Sequence, residues 1–141
     1  MADQPFDLDR FLTAQERHYA QALAELRAGS KRSHWIWFVF PQIAGLGQSE
    51  TARFYAIGSL AEAKAYLAHL VLGPRLLGAT EALLRHPDRS AETILGGIDA
   101  IKLRSSLTLF LEAGAGAPLD AALAMFFNGA KDPATLRLLK A

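Results

Sequence analysis

The stretch from Asp99 to Phe110 carries polar side chains at spacings suited to binding a ligand. On a helix, Asp99, Lys102 and Ser106 fall on one face, and Ser105 and Thr108 adjoin that face. Hydroxyl groups are unusual in so apolar a helix, because leucine or alanine would serve a plain core better. One interpretation is a polar pocket in which Lys102 supplies the charge. The alternative is close helix packing, with the hydroxyls bonded to backbone carbonyls of their own helix and Asp99 paired with Lys102 in solvent.

Two further side chains are candidates for the same site. Arg75 follows a proline that can open a helix, and it is a second candidate cation. His34 lies beside Lys31 and Arg32, and its imidazole titrates near neutral pH, which suits acid or base catalysis. The simpler interpretation of His34 is a solvated residue ahead of a core element. Asp99 and His34 are therefore the candidate catalytic residues, as a base for hydrolysis of a glycosidic or phosphate-linked bond.

The turn Gly45-Leu46-Gly47-Gln48-Ser49 precedes a predicted helix, whose free N–H groups would favour an anion. Ser49 is the candidate ligand-binding residue at this position. The turn lacks the spacing of a P-loop and the strand–helix context of a dinucleotide-binding loop. The alternative is a tight turn that lets the following helix pack on the tryptophans.

The ten residues from Ser33 to Gln42 form the most aromatic part of the chain and include both tryptophans, Trp35 and Trp37. Burial of these rings would stabilise the fold more than burial of any other ten-residue segment. We therefore expect the remaining helices to pack around them. The unbroken apolar run fits a strand as well as a helix. A lone strand would leave its backbone unpaired, so we predict a short buried helix ended by Pro41. Gln42 and the two tryptophans are candidate ligand-binding residues.

Capping residues and apolar spacings predict helices along the rest of the chain. Asp7 is the expected cap of the first helix, and Thr13 with Glu16 forms a capping box that could divide it. Pro74 is expected at the first position of its helix. The predicted helices span residues 8–28, 50–56, 60–69, 74–85, 91–95, 98–112, 118–127 and 133–141. The sequence thus predicts an all-α fold, a single compact domain of about eight short helices packed around segment 34–41, with residues 1–6 as a loose arm.

Composition limits the classes of function. The chain has 141 residues, with 15 basic and 14 acidic side chains and a net charge of +1. With so small a net charge, the protein has no strong electrostatic field that would attract nucleic acid or an anionic membrane. The absence of cysteine excludes disulfides and sulfur-ligated metals, and it fits a reducing cytoplasm. The histidines lack metal-ligand spacing, and no apolar run is long enough to span a membrane. We therefore expect a cytoplasmic protein with no metal and no cofactor.

These residues also form a pattern known from a protein family. The pattern begins with the aromatic run Lys31-x-Ser33-His34-Trp35-x-Trp37-Phe38-x-Phe40-Pro41-Gln42 and the turn Gly45-Leu46-Gly47-x-Ser49. It continues through Tyr55-Ala56-Ile57, Glu62-Ala63-x-Ala65-Tyr66-Leu67, Leu72-Gly73-x-Arg75-Leu76, Asp99-x-x-Lys102-Leu103-x-Ser105-Ser106-x-Thr108-Leu109-Phe110 and Gly129-x-x-Asp132-x-x-Thr135. It resembles the signature of the Domain of Unknown Function 1810 family, apart from Leu70, where a proline is expected. The resemblance implies a compact all-α fold and no established activity, cofactor or partner.

Some members of that family carry the label calpastatin, and the composition of this chain argues against that role. Inhibitors of the calpastatin type are disordered chains that fold on their target, which requires few hydrophobic and aromatic residues. This chain is 51% hydrophobic and 9% aromatic. We therefore expect a folded domain with a different role.

The leading functional hypothesis is a pocket for a polar, anionic, nucleotide-like small molecule at the edge of the aromatic segment. The residues expected to supply its charge, stacking and hydrogen bonds are Lys102, Arg75, His34, Trp35, Trp37, Ser106 and Thr108. The alternative is a protein-interaction module without catalysis, in which the same polar groups only satisfy helix packing.

Overall fold

A computed structural model describes residues 6–140, and within that range the chain forms nine α-helices joined by short loops. The helices are α1 (Asp9–Ala28), α2 (Ile36–Val39), α3 (Glu50–Phe54), α4 (Leu60–Ala68), α5 (Leu72–Leu83), α6 (Ala91–Leu95), α7 (Gly97–Glu112), α8 (Leu119–Phe127) and α9 (Pro133–Lys140). In this range the β-type pairing is an isolated bridge between Ile43 and Ile57. The predicted all-α fold is confirmed. The predicted loose arm lies outside the described residues except for Phe6, which packs against the core.

The first helix, α1, has 20 residues and buries one face along its length. Phe11, Ala22 and Leu26 are fully buried at helical spacing. Gly29 ends the helix with φ +74°, a left-handed conformation that favours glycine, and its N–H donates to Leu26 O at 3.1 Å. The predicted end of α1 is therefore confirmed.

Three predicted features of helix boundaries are wrong. Asp7 does not cap α1, because Leu8 occupies the position before the helix and its side chain is buried. The capping box at Thr13 and Glu16 does not divide α1, since buried side chains on either side hold both turns in one continuous helix. Pro74 is the third residue of α5 rather than the first. That position tolerates proline because the first four N–H groups of a helix have no acceptor within it.

The aromatic segment forms the single turn α2, which confirms the predicted short helix and excludes the strand. The turn is closed by hydrogen bonds from Val39 N to Trp35 O at 3.1 Å and from Phe40 N to Ile36 O at 3.0 Å. Trp35 and Phe40 are fully buried, with ring centroids 6.5 Å apart. Pro41 follows directly and cannot continue the helix. Because α2 contacts α1, α5 and α7, this segment lies inside the helical assembly.

A buried amide on α1, Gln15, holds α2 in position. Its Nε2 donates to Phe38 O at 2.6 Å and to the Tyr66 hydroxyl at 3.0 Å. Tyr66 lies on α4 and is fully buried, and burial raises the pKa of its hydroxyl above the ordinary value. The Gln15 side chain therefore links α1, α2 and α4 through neutral groups.

A buried carboxylate on α1, Glu25, holds the segment that leads into α2. Its oxygens accept hydrogen bonds from Arg32 N at 2.8 Å, from Ser33 N at 3.0 Å, from Ser33 Oγ at 2.7 Å and from Trp35 Nε1 at 2.9 Å. Gln21 Nε2 donates another at 2.7 Å. Burial alone would raise the pKa of Glu25, but these hydrogen bonds outweigh it and hold the pKa well below its ordinary value of 4.5. Glu25 is therefore ionised at neutral pH and fixes the turn between α1 and α2.

We expect Glu25→Gln to destabilise the protein at neutral pH, because an amide has fewer acceptor sites than a carboxylate and adds an N–H₂ group among donors. Leaving one or two donors unpaired should lower the free energy of unfolding by about 2–4 kcal/mol in urea denaturation. Because folding lowers the pKa of Glu25, its contribution is complete above pH 4.5 and is lost as the pH falls below that value. The difference between the wild-type protein and Glu25→Gln should therefore shrink as the pH falls.

The matched control is Glu92→Gln, which changes an exposed carboxylate on α6 and should alter stability by less than about 0.5 kcal/mol. A loss in Glu25→Gln that is the same at neutral and acidic pH would contradict the ionised state of Glu25.

Candidate functional site

A surface groove beside α7 brings together several of the predicted site residues. Its walls come from α7, from the loop of residues 42–47 and from the start of α9. The cavity has a volume of about 300 Å³ and is lined by Gln42, Leu46, Gly47, Ile98, Ile101, Lys102, Ser105, Asp132 and Ala134. We call these nine residues the α7 groove. Apolar walls with a few polar groups are typical of small-molecule sites.

Helical spacing sets the α7 side of the groove. Ile98, Ile101, Lys102 and Ser105 recur three or four residues apart, so they share one face of the helix. Ile98 is 74% exposed and Ile101 is 66% exposed, although both side chains are large and apolar. Exposed apolar surface next to a cavity is typical of surfaces that bind another molecule.

The loop opposite α7 is held by backbone hydrogen bonds and by close packing. Ile57 N donates to Gln42 O at 2.8 Å. Gly47 has no space for a side chain, since a Cβ there would lie 2.4 Å from Ala52 Cβ. Ser49 accepts a hydrogen bond from Ala52 N at 3.1 Å and so caps α3, outside the groove. Close packing against Ala52 of α3 therefore accounts for the glycine at position 47, and the packing of α3 on the tryptophans stays a prediction.

The start of α9 is bound to α7 through Asp132. The Asp132 carboxylate accepts hydrogen bonds from Ser105 Oγ at 3.0 Å, from Thr135 N at 3.1 Å and from Thr135 Oγ1 at 2.6 Å. Its backbone N–H donates to Thr108 Oγ1 at 2.9 Å. Burial alone would raise the pKa of Asp132, but these hydrogen bonds and the charge of Arg104 lower it below the ordinary value. Asp132 is not among the residues that the sequence predicts for the site, because an Asp-Pro pair carries no signal for a place in the groove.

Two lysines and one carboxylate meet at the first turn of α7. Asp99 Oδ2 lies 2.8 Å from Lys31 Nζ, whereas Asp99 Oδ1 lies 3.9 Å from Lys102 Nζ. Each ammonium also lies over a tryptophan ring, Lys31 over Trp35 and Lys102 over Trp37, at 5.1 Å from the ring centroid. The predicted Asp99–Lys102 pair is therefore the longer of two contacts, and sequence reasoning did not identify Lys31 as the closer partner.

Some of the predicted ligand-binding residues do meet at the groove. Lys102 and Gln42 line it, and Trp37 lies half-buried against Lys102. The candidate catalytic residues His34 and Asp99 line a neighbouring cavity of about 400 Å³, which shares Ile98 with the groove.

Three other predicted residues are buried away from the groove. Trp35 is fully buried, with Nε1 bound to Glu25. Thr108 is fully buried, and its hydroxyl donates to Arg104 O at 2.8 Å. Ser106 is fully buried as well, and its Oγ has no hydrogen-bond partner among residues 6–140. The Thr108 hydroxyl donates to a carbonyl of its own helix and accepts the backbone N–H of Asp132 ahead of α9. For Thr108 the structure therefore agrees with the packing alternative.

Arg75 lies apart from the groove, between α1 and α5. Its Nη2 pairs with Glu16 Oε2 at 2.9 Å, and its guanidinium lies over the Tyr19 ring. The backbone carbonyl of Arg75 accepts a hydrogen bond from the Tyr19 hydroxyl at 2.7 Å. Arg75 therefore serves helix packing at this position and does not contribute charge to the groove.

The neighbouring serines of α7 provide a matched pair of variants. Ser105→Ala removes a hydrogen bond to an ionised carboxylate and should lower the free energy of unfolding by about 1.5–3 kcal/mol. Ser106→Ala removes a buried hydroxyl without a partner and introduces a better helix former, so stability should stay equal or rise by up to about 1 kcal/mol. Urea denaturation of both variants measures the difference. A clear loss in Ser106→Ala would contradict the unpaired state of its hydroxyl.

The part of the chain that the structure describes holds neither a cluster of metal ligands nor a membrane-spanning helix. No group of three or more His, Asp or Glu side chains there could hold a metal ion. None of the helices in that part is both long and apolar enough to cross a membrane.

Comparison with known proteins places the chain in a family. It is similar to the crystal structure, at 1.38 Å, of the conserved hypothetical protein Rv1873 from Mycobacterium tuberculosis. The two sequences are 49% identical, the match covers 98% of this chain and 99% of that chain, and the TM-score is 0.95. No curated protein matches the chain. The family described as "Protein of unknown function (DUF1810)" matches residues 5–139, and the chain belongs to that family.

Proposed function

We propose that the α7 groove binds a small anionic molecule with a flat apolar part, nucleotide-like in its chemistry, and that Lys102 is its counter-ion. The observation that carries the proposal is the position of Lys102 beside an apolar cavity, next to the Trp37 ring and 3.9 Å from a carboxylate that has a closer partner. A partly desolvated ammonium gains more from an added anion than a fully hydrated lysine does.

The apolar part of such a ligand would lie against Leu46, Ile98 and Ile101. The volume of about 300 Å³ is at the lower end of the usual range for ligand pockets, so a compact molecule fits best. Gln42 supplies an amide that can both donate and accept a hydrogen bond. The groove thus offers an apolar surface, an amide and a cation, which together suit a ring that bears an anionic group.

The acidic side chains near the groove are held by other groups, Asp132 by hydrogen bonds from Ser105 and Thr135 and Asp99 by Lys31. Arg104 lies near enough to Asp132 to act on it electrostatically, and Lys31 pairs with Asp99 at 2.8 Å. Among the described residues that line the groove, Lys102 is therefore the cation available to a ligand. The net charge of +1 gives no support to nucleic acid or a membrane as the partner.

The proposal is binding without a chemical step. A general base must lie within reach of the bound molecule, whereas Asp99 lines the neighbouring cavity and its Oδ2 is paired with Lys31 at 2.8 Å. His34 is exposed and lines the neighbouring cavity instead of the groove.

A protein-interaction module is the second candidate, and the exposure of Ile98 and Ile101 favours it. In that case an apolar side chain of a partner would fill the groove, and the charge of Lys102 would contribute little. The two candidates therefore differ in what they require of Lys102.

Adenosine monophosphate, with uncharged adenosine as the comparator, tests the proposal by NMR on ¹⁵N-labelled protein. The two tryptophans supply two indole N–H signals, one from Trp37, whose ring lies beneath the groove residue Lys102, and one from Trp35 in the core. Adenosine monophosphate should shift the Trp37 signal and leave the Trp35 signal unchanged. Lys102→Met keeps the aliphatic stem and should weaken binding of adenosine monophosphate about tenfold or more, while adenosine is little affected.

The matched control is Lys64→Met, which removes an exposed lysine from α4 and should leave binding unchanged. Lys102→Met itself should change stability by under about 1 kcal/mol. An unshifted Trp37 signal at millimolar adenosine monophosphate, or equal affinity in Lys102→Met, would refute the proposal.

A further inference from the structure

We infer that Lys31 is the residue that sets the anion affinity of the α7 groove, because it neutralises Asp99 and so leaves Lys102 available to a ligand. The inference rests on the proposed binding at Lys102. Lys31 does not line the groove, so its role is to position charge and not to touch the ligand.

The unequal contacts of Asp99 support this division of roles. The distance of 2.8 Å from Asp99 Oδ2 to Lys31 Nζ is that of a hydrogen-bonded ion pair. The distance of 3.9 Å from Asp99 Oδ1 to Lys102 Nζ is too long for a hydrogen bond. The Lys31 side chain is 8% exposed and that of Lys102 is 22% exposed. Lys31 is thus the more buried and more closely paired lysine, while Lys102 is the one that solvent and ligands reach.

The backbone and the aromatic rings hold the two lysines in these separate places. Lys31 N donates to Ile94 O at 2.7 Å, which fixes the Lys31 backbone against α6. The Trp35 ring lies beneath the Lys31 ammonium, and the Trp37 ring lies beneath that of Lys102. If Lys102 replaced Lys31 as the closer partner of Asp99, an ammonium would lose its contact with a tryptophan ring. The two cation–π contacts therefore keep the lysines in their separate positions.

The local charge follows from these three side chains. Two lysines and one carboxylate sum to +1. Without Lys31, Asp99 would pair with Lys102, and the charges of these two side chains would sum to zero. Without Asp99, the sum would be +2. The other titratable groups nearby are Arg32 and His34, which are exposed in the neighbouring cavity, and Asp132, which lies across the groove near Arg104.

Four proteins test this charge series with adenosine monophosphate as the probe: the wild-type protein, Lys31→Met, Asp99→Asn and the double variant. Asp99→Asn should bind most tightly and Lys31→Met most weakly, each about five- to tenfold from the wild-type protein at low salt. The double variant restores the sum of +1 and should bind like the wild-type protein. The double variant also shows whether loss of the two side chains affects binding apart from the charge, because it leaves no buried charge without a partner.

A second measurement needs no ligand. In a crystal structure of Lys31→Met, the Lys102 ammonium should lie about 2.8 Å from Asp99, because the carboxylate has lost its nearer partner. An unchanged separation of 3.9 Å would overturn the inference. Wild-type affinity in Lys31→Met, combined with weak binding in Lys102→Met, would overturn it too and leave the proposed function standing. Equal affinity in Lys102→Met would instead refute the proposed function.

Discussion

The ionised carboxylate of Glu25 is the interaction on which the described fold and its groove both depend. A charge this well buried is stable only because backbone and side-chain donors from the turn after α1 surround it. Those donors belong to the residues that connect Lys31 to Trp35. The carboxylate therefore sets where α2 begins, where the Trp35 ring enters the core and where the Lys31 ammonium reaches Asp99.

The groove and the packing of α9 share the same polar groups. Asp132 caps α9, binds Ser105 of α7 and also lines the cavity. Thr108 completes the contact by accepting the Asp132 backbone N–H. Because these bonds join two helices at the edge of the cavity, α7 and α9 hold one side of the groove, and the loop of residues 42–47 forms the opposite wall.

Local sequence signals predicted the helices well, and burial explains the exceptions. The end of α1 and the starts of α3, α4 and α6 lie at the predicted residues, where a glycine follows α1 and serines cap the other three, because capping depends on neighbouring residues alone. The capping box at Thr13 was overridden, since the core packs against both of the turns that it would separate. The short helix α2 was predicted from backbone pairing, and its hydrogen bonds confirm that argument.

For the candidate site, the sequence alone determined which side chains share a face of α7, because helical spacing is a local property. It identified Lys102 and Asp99 as neighbours and left open whether the hydroxyls line a pocket or pack a helix. Only the tertiary structure decided that Thr108 serves α9, that Arg75 lies apart between α1 and α5, and that Lys31 is the closer partner of Asp99. These outcomes depend on what lies opposite each helix, and residues far apart in the chain meet there only when the core packs.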